Sequence, residues 1–465
     1  MRIKNNIIRN IRVESVAAEG KGIGKNNGQV IFISGTAPGD LVDVRILKKK
    51  KNYLEAVPLK FHELSDKRVE PFCYHFGQCG GCKWQHLNYE SQLEIKQQQV
   101  IDQLERIGKV QIPRINPIIA SDKTQLYRNK LEYTFTNRRW LTKEEIETGE
   151  DINRSGLGFH LPGRFDRVLD IDHCYLLPEP SNELRLFMKF FAINNNLTFY
   201  DVYSHSGLLR NLIIRVTDTG EIMVIIQFGE NNPDKIRFLM DEVNTSFPEI
   251  TSLNYVVNTK KNDTFYDLEV KNYAGTQYIT ETMDDIHFRI GPKSFFQTNT
   301  SQALKLYRTA REFAGLTGNE VVYDLYCGAG TISNFIARNA RRVIGLEHIE
   351  EAVNDAKINS EINNIENTEF YCGDIKDNLN AEFFSTHGNP DVIITDPPRA
   401  GMHKDVVKAL IASEANKIVY ISCNPATQAR DIELMTEYYN VLNVQPVDMF
   451  PHTQHVENVV LLQQK

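Results

Sequence analysis

The chain has 465 residues, of which 41% are hydrophobic and 24% charged, and its formal net charge is −7. This length predicts two or three domains, and the composition is that of an ordinary globular protein. The sequence has no apolar run of about 18 residues, which excludes a membrane span. The N-terminal residues lack the apolar segment of a signal peptide, so we expect a cytoplasmic protein with no membrane partner.

Charge is unevenly distributed along the chain. Residues 1–60 hold 12 Lys and Arg against 5 Asp and Glu, a local charge of +7 that leaves −14 for the remainder. Short apolar runs separated by glycines cover 6–13, 28–34, 40–47 and 53–57. This pattern predicts a small β-barrel at the N-terminus.

Residues 48–51 are four consecutive lysines, which form either a solvated loop or a contact for the RNA backbone. The segment GKGIGKNNGQVIFISGTAPGDLVDVRI, residues 20–46, resembles a TRAM domain, an OB-like barrel found on RNA-modifying enzymes. That resemblance favours contact with RNA over the solvated loop.

Three of the seven cysteines, Cys73, Cys79 and Cys82, lie within ten residues of one another. In a reducing compartment such clustering favours metal binding or catalysis over disulfides. The two glycines between Cys79 and Cys82 let the loop turn tightly, so that both sulfurs can face one centre. Cys174 is the best candidate for a fourth ligand. Four thiolates suit zinc or an iron–sulfur cluster, the spacing does not choose between them, and inert buried cysteines are the alternative.

Residues 88–108 are predicted to form one amphipathic helix with a packing role. Its predicted apolar face consists of Tyr89, Leu93, Val100, Leu104 and Ile107. Residues 126–290 contain strand-like runs with interleaved basic and aromatic residues, which predicts a mixed α/β or mainly β domain able to contact unpaired RNA. The acidic stretch 141–153 is interpreted as a solvated excursion.

The character of the sequence changes near residue 290. Residues 321–325 and 342–346 are predicted strands that flank a glycine loop and a helix. Glu347 ends the second strand, where a carboxylate can bond both ribose hydroxyls of an adenosine cofactor. The loop lacks the third glycine of a pyrophosphate site, which favours S-adenosylmethionine over NAD. Asp374, after a third strand-like run, is a candidate neighbour of the adenine.

Two further predicted strands, 391–395 and 417–422, are followed by Asp396 and Cys423. Because parallel sheets bind ligands at the carboxyl ends of their strands, we expect both residues to face the reaction centre. The Asp-Pro-Pro turn ends in Arg399, whereas adenine N-methyltransferases usually have an aromatic residue there. The arginine favours an anion or phosphate contact over methylation of an exocyclic amine.

Five motifs, SFFQTN, DLYCGAG, DPPRAG, SCNPAT and HVE, together resemble the RNA uracil-5-methyltransferase family over essentially the whole chain. The TRAM-like segment and the cysteine set make the resemblance strongest to its 23S ribosomal RNA branch. The resemblance implies that S-adenosylmethionine is contacted by Gln297, Tyr326, Glu347 and Asp396. It implies Cys423 as the nucleophile and Glu457 as the base. It also implies a [4Fe–4S] cluster, rather than zinc, on Cys73, Cys79, Cys82 and Cys174.

The resulting expectation is a multidomain α/β protein. Residues 1–62 form an OB-like TRAM barrel, 63–289 a central mixed α/β RNA-binding domain with the metal-cluster loop, and 290–465 a Rossmann-like methyltransferase domain on which the helix 88–108 packs. The expected activity is methyl transfer to carbon 5 of a uridine in 23S ribosomal RNA by a monomer. The alternatives are the same reaction on transfer RNA and a non-catalytic, metal-stabilised RNA-binding protein.

Overall fold

The computed structural model describes residues 7–465, so Asn6, the start of the first predicted strand, lies outside the described residues. The N-terminal part forms a closed barrel with strand order β1-β2-β3-β5-β4. Its strands are β1 (Ile7–Val16), β2 (Gly22–Asn26), β3 (Gln29–Ile33), β4 (Leu41–Lys49) and β5 (Tyr53–Glu63). Alternate residues of these strands fill the barrel, which confirms the predicted OB-like module.

Strand β2 is absent from the sequence-based prediction because glycines replace its apolar residues. Side chains from β1 and from the turn after β3 occupy the space beside Gly22 and Gly24. A Cβ at Gly22 would overlap Thr36, and one at Gly24 would overlap Ile11. Glycine therefore serves here to let two parts of the barrel approach closely.

Asp40 joins the barrel to the segment that follows it. Its buried carboxylate accepts hydrogen bonds from the backbone N–H groups of Ala37 (2.7 Å) and Ser65 (3.0 Å). It also accepts two from the Arg68 guanidinium, at 2.9 and 2.7 Å. Burial opposes ionisation of Asp40, but these bonds outweigh it and hold its pKa below the ordinary value of 3.8.

The central part is built on a seven-stranded sheet with order β12-β11-β10-β9-β6-β7-β8, antiparallel except between β10 and β11. Its strands are β6 (Lys130–Thr136), β7 (Gly156–His160), β8 (Val168–Asp170), β9 (Leu209–Val216), β10 (Ile222–Phe228), β11 (Ser252–Val257) and β12 (Lys271–Gly275). Its helices are α1 (Tyr89–Arg106), α2 (Lys143–Glu147), α3 (Ser181–Asn194) and α4 (Pro233–Ser246). This architecture confirms the predicted mixed α/β domain.

The stretch predicted as a solvated excursion contains the short helix α2. Thr142 caps it, because its hydroxyl accepts from the Glu145 N–H while the Glu145 carboxylate accepts from the Thr142 N–H. Arg139 donates to the same carboxylate at 2.7 Å. None of the α2 residues is buried, so this helix lies at the surface as predicted, whereas Leu141 at the start of the stretch is buried.

The C-terminal part is a second seven-stranded sheet with order β17-β16-β15-β18-β19-β21-β20. A hairpin precedes it, formed by β13 (Ile279–Met283) and β14 (Ile286–Ile290). The sheet strands are β15 (Val321–Leu325), β16 (Arg342–Glu347), β17 (Thr368–Cys372), β18 (Val392–Thr395), β19 (Lys417–Ser422), β20 (Tyr439–Val447) and β21 (Glu457–Gln464). The helices are α5 (Thr300–Ala314), α6 (Thr331–Ala337), α7 (Glu350–Ile362), α8 (Ile375–Asn378), α9 (Ala381–His387), α10 (Lys404–Ala412) and α11 (Pro425–Glu433).

Five strands of this sheet are parallel in the order β17-β16-β15-β18-β19, and β21 is inserted antiparallel between β19 and β20. The chain proceeds outward from β15 through β16 to β17, and then crosses back to β18 on the other side of β15. The switch point therefore lies between β15 and β18, where open α/β sheets bind ligands.

Helix α1 packs against α11 of the C-terminal part. Val100 and Leu104 are fully buried in the same apolar core as Ala429 of α11. Ile107, predicted on the apolar face, is instead 41% exposed and caps the C-terminus of α1, which ends at Arg106. Among the described residues, no helix is both long and apolar enough to cross a membrane.

Replacing Asp40 by alanine should destabilise the barrel by about 3–5 kcal/mol, because the Arg68 guanidinium would lose its partner in a largely buried position. Hydrogen exchange measured by mass spectrometry should show faster exchange in peptides from β1 and β4. Since the pKa of Asp40 is lowered, its contribution is complete above about pH 4 and is lost as the pH falls further.

The matched control is Glu63→Ala, which removes the exposed Arg12–Glu63 pair of the same barrel. Exposed pairs contribute about 0–1 kcal/mol, so the exchange of β1 and β4 should barely change. Equal effects of the two substitutions would show that Asp40 is not the anchor described.

Candidate active site

The carboxyl ends of the parallel strands in the C-terminal sheet bring the predicted site residues to one edge. Tyr326 follows β15, Glu347 ends β16, Asp396 follows β18 and Cys423 follows β19. Because β21 is antiparallel to these strands, its first residue, Glu457, lies at the same edge. One edge of one sheet thus presents three carboxyl groups, a phenol and a thiol.

The strand register sets the relation between the thiol and its nearest carboxyl group. Ser422 of β19 pairs with Asn458 of β21, so the next residues outward, Cys423 and Glu457, lie opposite each other. Val447 of β20 pairs with Glu457 from the other side. Glu457 is therefore held between two strands and faces the thiol across the end of the sheet.

The glycine loop after β15 is shaped by positive φ angles at Tyr326 (64°), Gly328 (53°) and Gly330 (70°). The N–H groups of Tyr326 and Cys327 both donate to the carbonyl of Leu346, which fastens the loop to β16. A Cβ at Gly330 would lie 2.8 Å from the Cβ of Ala356 on α7, so only glycine fits there without displacement.

The buried Glu347 carboxylate is oriented by backbone donors on both oxygens. Oε1 accepts from the N–H groups of His348 (2.8 Å) and Ile349 (3.0 Å), and Oε2 accepts from Gly328 (3.1 Å). The glycine loop and the end of β16 therefore hold each other in place. Oε2 takes only one of these bonds and so keeps the capacity to accept from a ligand.

A second set of three carboxyl groups lies buried close together, and their pKa values are all raised: those of Asp324, Asp396 and Glu457. Burial raises the pKa of Asp324 to about 7, and burial together with the neighbouring Asp324 raises the pKa of Asp396 to about 7. Burial and the neighbouring Asp396 raise the pKa of Glu457 to about 8. Tyr307 of α5 is buried beside all three, and its pKa is also raised by burial and by the Asp396 charge. Such a cluster favours a cationic ligand, whose charge would allow the carboxyl groups to ionise.

Asp324 was not singled out by the sequence analysis as a site residue. It is fully buried, its Oδ2 accepts from the Ser333 hydroxyl at 2.5 Å, and its Oδ1 has no hydrogen-bond partner. A buried carboxylate oxygen without a partner is costly unless a ligand supplies the donor. The signal was an aspartate within an otherwise apolar strand.

The half-buried Cys423 thiol lies near the carboxyl groups of Glu457 and Asp396 and the guanidinium of Arg399. Burial raises its pKa to about 11, with further contributions from Glu457 and Asp396, while Arg399 lowers it. Asn424 ties the two loops together, because its side-chain amide donates to the Arg399 carbonyl at 3.1 Å. The thiol and the Asp396 turn are thus parts of one structural unit.

Two other predicted residues have different surroundings. Asp374 follows β17 at the same sheet edge, but its side chain is 51% exposed and accepts from Lys376 Nζ at 2.8 Å. It also caps α8. Gln297 lies ahead of α5. Its backbone carbonyl accepts from the Asn129 side chain at 2.8 Å, which joins the central and C-terminal parts.

The four predicted cluster ligands line one cavity of about 410 Å³. It lies between the central sheet and residues 73–82, which we call the cysteine loop. The sulfur-bearing residues are Cys73, Cys79, Cys82 and Cys174. The cavity is larger than a single ion requires. In the part of the chain that the structure describes, no group of three or more His, Cys, Asp or Glu side chains is arranged to hold a metal ion.

The comparison with known protein families gives two matches. The model of the tRNA (Uracil-5-)-methyltransferase family matches residues 268–465, and that of the TRAM domain matches residues 5–59. A protein from Bacteroides thetaiotaomicron, named an uncharacterized RNA methyltransferase, is 54% identical over 96% of this chain and 100% of its own length. A protein of the same name from Porphyromonas gingivalis is 51% identical over 97% of this chain and 99% of its own.

Among solved structures, the chain is similar to the Pyrococcus abyssi tRNA (uracil-54, C5)-methyltransferase in complex with S-adenosyl-L-homocysteine. The identity is 30% and the TM-score 0.77, with 98% of this chain and 100% of that chain covered. The sheet order and the TRAM barrel indicate the same family as these similarities. The chain belongs to the RNA uracil-5-methyltransferase family, and it is a TRAM-bearing enzyme that uses S-adenosylmethionine to methylate RNA.

Proposed function

We propose that this enzyme methylates carbon 5 of a uridine in 23S ribosomal RNA through a covalent adduct with Cys423. The observation that carries the proposal is the register of β19 and β21, which sets Cys423 opposite Glu457 beside Asp396. The nucleophile acts on carbon 6 and the base on the neighbouring carbon 5, so the two groups must lie close together. This arrangement supplies both groups from rigid strand ends.

The residues around the glycine loop fit S-adenosylmethionine. The Glu347 carboxylate, oriented by three backbone N–H groups, would accept from the ribose hydroxyls. The unpartnered Asp324 Oδ1 and the neighbouring Asp396 suit the cationic part of the cofactor. Tyr326 and Gln297 complete the proposed binding set, and the exposed Asp374 is its outermost member. Bound there, the cofactor supplies an electrophilic methyl group on a sulfonium.

Cys423 begins the reaction because carbon 5 of uracil is a poor nucleophile. The thiolate adds to carbon 6, which places an electron pair on the ring and makes carbon 5 able to take up the methyl group. In the free protein burial raises the Cys423 pKa to about 11 although Arg399 already lowers it, so ionisation near neutral pH needs the further field of the bound cation. The target uracil must leave its stack in the RNA to reach the thiol, so a flipped or unpaired uridine is expected.

Glu457 completes the reaction. After methylation, carbon 5 carries both the methyl group and a proton, and the Glu457 carboxylate accepts that proton. The electron pair of the C5–H bond restores the double bond between carbons 5 and 6, and the bond from carbon 6 to Cys423 breaks with its electrons returning to sulfur. The raised pKa of Glu457, about 8, makes it a stronger proton acceptor than an ordinary carboxylate.

Ribosomal RNA is preferred as the substrate because the cysteine set accompanies the TRAM barrel. The barrel exposes four lysines, Lys48, Lys49, Lys50 and Lys51, which suits contact with an RNA backbone. One observation favours a second candidate: the similar Pyrococcus abyssi structure, which covers nearly the whole chain, is that of an enzyme acting on uracil 54 of tRNA. A tritium-release assay on each RNA distinguishes ribosomal RNA from transfer RNA as the substrate.

Tritium release from RNA labelled at uracil carbon 5 tests the proposal directly. Unmodified 23S RNA should release tritium only with S-adenosylmethionine, whereas labelled transfer RNA should release little. Cys423→Ala should lower the rate at least about 1,000-fold, because the adduct cannot form. Cys372→Ala, which changes an exposed cysteine at the end of β17, is the control and should be fully active. Release from transfer RNA alone would replace the substrate, and methyl transfer without release would refute attack at carbon 5.

The charge coupling between Glu457 and Cys423 is tested by alkylation. At pH 9 Glu457 is ionised and its charge raises the pKa of Cys423. Glu457→Gln removes that charge, so Cys423 should react with iodoacetamide about three- to tenfold faster at pH 9, measured by peptide mass spectrometry. Glu437→Gln, at an exposed position, is the control. An unchanged or slower rate would show that the two groups do not face each other.

We propose further that Cys73, Cys79, Cys82 and Cys174 hold a [4Fe–4S] cluster. A single zinc would need sulfurs about 3.8 Å apart, from Zn–S bonds of about 2.3 Å. The large cavity shared by the four thiols suits a bulkier group better. The cluster would join the cysteine loop to the segment before α3, and its role in the proposal is structural.

Anaerobically purified protein should contain about four iron atoms per chain, measured by elemental analysis. Cys174→Ser should lose most of the iron because it removes the ligand contributed by the distant segment. Cys372→Ser, outside the cavity, should keep it. One zinc atom per chain in place of iron would identify a zinc site and contradict the cluster.

A further inference from the structure

Helix α1 contacts both catalytic segments of the proposed site, although it lies more than 300 residues before them in the sequence. Its C-terminal half packs on α11, the helix that directly follows Cys423, and Val100 and Leu104 are buried there. Its N-terminal half, through the same face, contacts residues 448–456, the loop between β20 and β21. We call these residues the base loop, because Glu457 follows them directly.

The contact with the base loop is centred on a fully buried ion pair. Lys96 Nζ donates to Asp448 Oδ1 at 2.5 Å, and both side chains are 0% exposed. The same Nζ donates to the Phe450 carbonyl at 3.0 Å. Asp448 Oδ2 accepts from the Tyr89 hydroxyl at 2.8 Å, and its Oδ1 also accepts from the Phe450 N–H. Lys96 and Tyr89 therefore fasten the first turn of the loop through charge and hydrogen bonds together.

Gln92 holds the middle of the base loop. Its side-chain carbonyl accepts from the His452 N–H at 2.8 Å, and its amide donates to the imidazole of His452 at 3.2 Å. On the other side, the His452 carbonyl accepts from the backbone N–H groups of Lys83 and Trp84. Positions 89, 92 and 96 are three and four residues apart, so they face the loop from one side of α1.

We propose that Lys96, Tyr89 and Gln92 are positioning residues for proton removal by Glu457. Helix α1 acts as a brace that fixes the base loop relative to the helix following Cys423. This inference rests on the proposed function, in which Glu457 removes the proton at carbon 5. Loosening the brace should slow that last step more than the methyl transfer that precedes it.

The trapped intermediate is the readout that separates positioning from general stability. If proton removal slows, enzyme and methylated RNA remain covalently joined and migrate together on a denaturing gel. Loss of folded protein would instead lower both the adduct and the methyl transfer. Single-turnover reactions with tritiated methyl donor and unmodified 23S RNA measure both quantities.

Asp448→Asn keeps the shape of the side chain but removes the charge that Lys96 needs. The methylated adduct should persist at a level at least about fivefold above that of the native enzyme, with a turnover number at least about tenfold lower. The first round of methyl transfer should stay within about threefold of the native rate. Tyr89→Phe is a milder variant that removes one hydroxyl, and it should trap adduct in the same direction.

Lys189→Met is the matched control. Lys189 pairs with Asp170 at 2.5 Å in a similarly enclosed place, with side chains 12% and 13% exposed, but the pair joins α3 to β8 of the central part. It should trap no adduct. Equal trapping in this control, or Asp448→Asn and Tyr89→Phe variants that methylate and release RNA at the native ratio, would overturn the positioning role.

Glu457→Gln distinguishes the two ways of failing. If it traps methylated adduct while Asp448→Asn and Tyr89→Phe do not, the brace is refuted and the base assignment stands. If Glu457→Gln itself traps none, the assignment of the base is wrong and the brace inference falls with it.

Discussion

Three carboxyl groups and a thiol share a small, poorly hydrated space at one edge of the C-terminal sheet. Burial raises the pKa values of Asp324, Asp396, Glu457 and Cys423, and repulsion from neighbouring carboxylates adds to it. The free protein therefore resists having all of them ionised near neutral pH. In the proposed function, a cationic methyl donor bound here would relieve that constraint, and it becomes neutral after it has transferred the methyl group. The site is thus electrostatically matched to the charged form of the cofactor.

The topology of the sheet creates this crowding. Four of the site residues end parallel strands or follow them directly, namely Tyr326, Glu347, Asp396 and Cys423. Such residues meet at one edge whatever the loops contain. The fifth, Glu457, reaches that edge because β21 runs in the opposite direction between β19 and β20. A parallel strand in the same place would put its first residue at the far edge. One antiparallel insertion therefore brings the proposed base to the proposed nucleophile.

Local sequence patterns were sufficient for the parallel part of this site. Apolar runs that stop at Glu347, Asp396 and Cys423 predicted strand ends, and all three lie at the same edge in the structure. Glu457 could not be placed from its own pattern, since its position depends on long-range strand order, and it was indicated only by the family resemblance. Lys96 was missed for another reason. It lies on the apolar stripe of α1, and a lysine on such a stripe carries a signal only when its distant partner, Asp448, is known.

The buried pair explains why α1 must be placed accurately. Apolar packing of α1 on α11 alone would tolerate sliding, because side-chain contacts of similar size can exchange with little cost. A lysine and an aspartate without access to water tolerate no such exchange, since any shift leaves an unpaired charge. The pair therefore converts a general apolar contact into one specific register between α1 and the base loop. Lys83 and Trp84, shortly before α1, add to this register through two backbone bonds to the His452 carbonyl. One continuous stretch, residues 83–96, therefore holds the distant residues that precede Glu457.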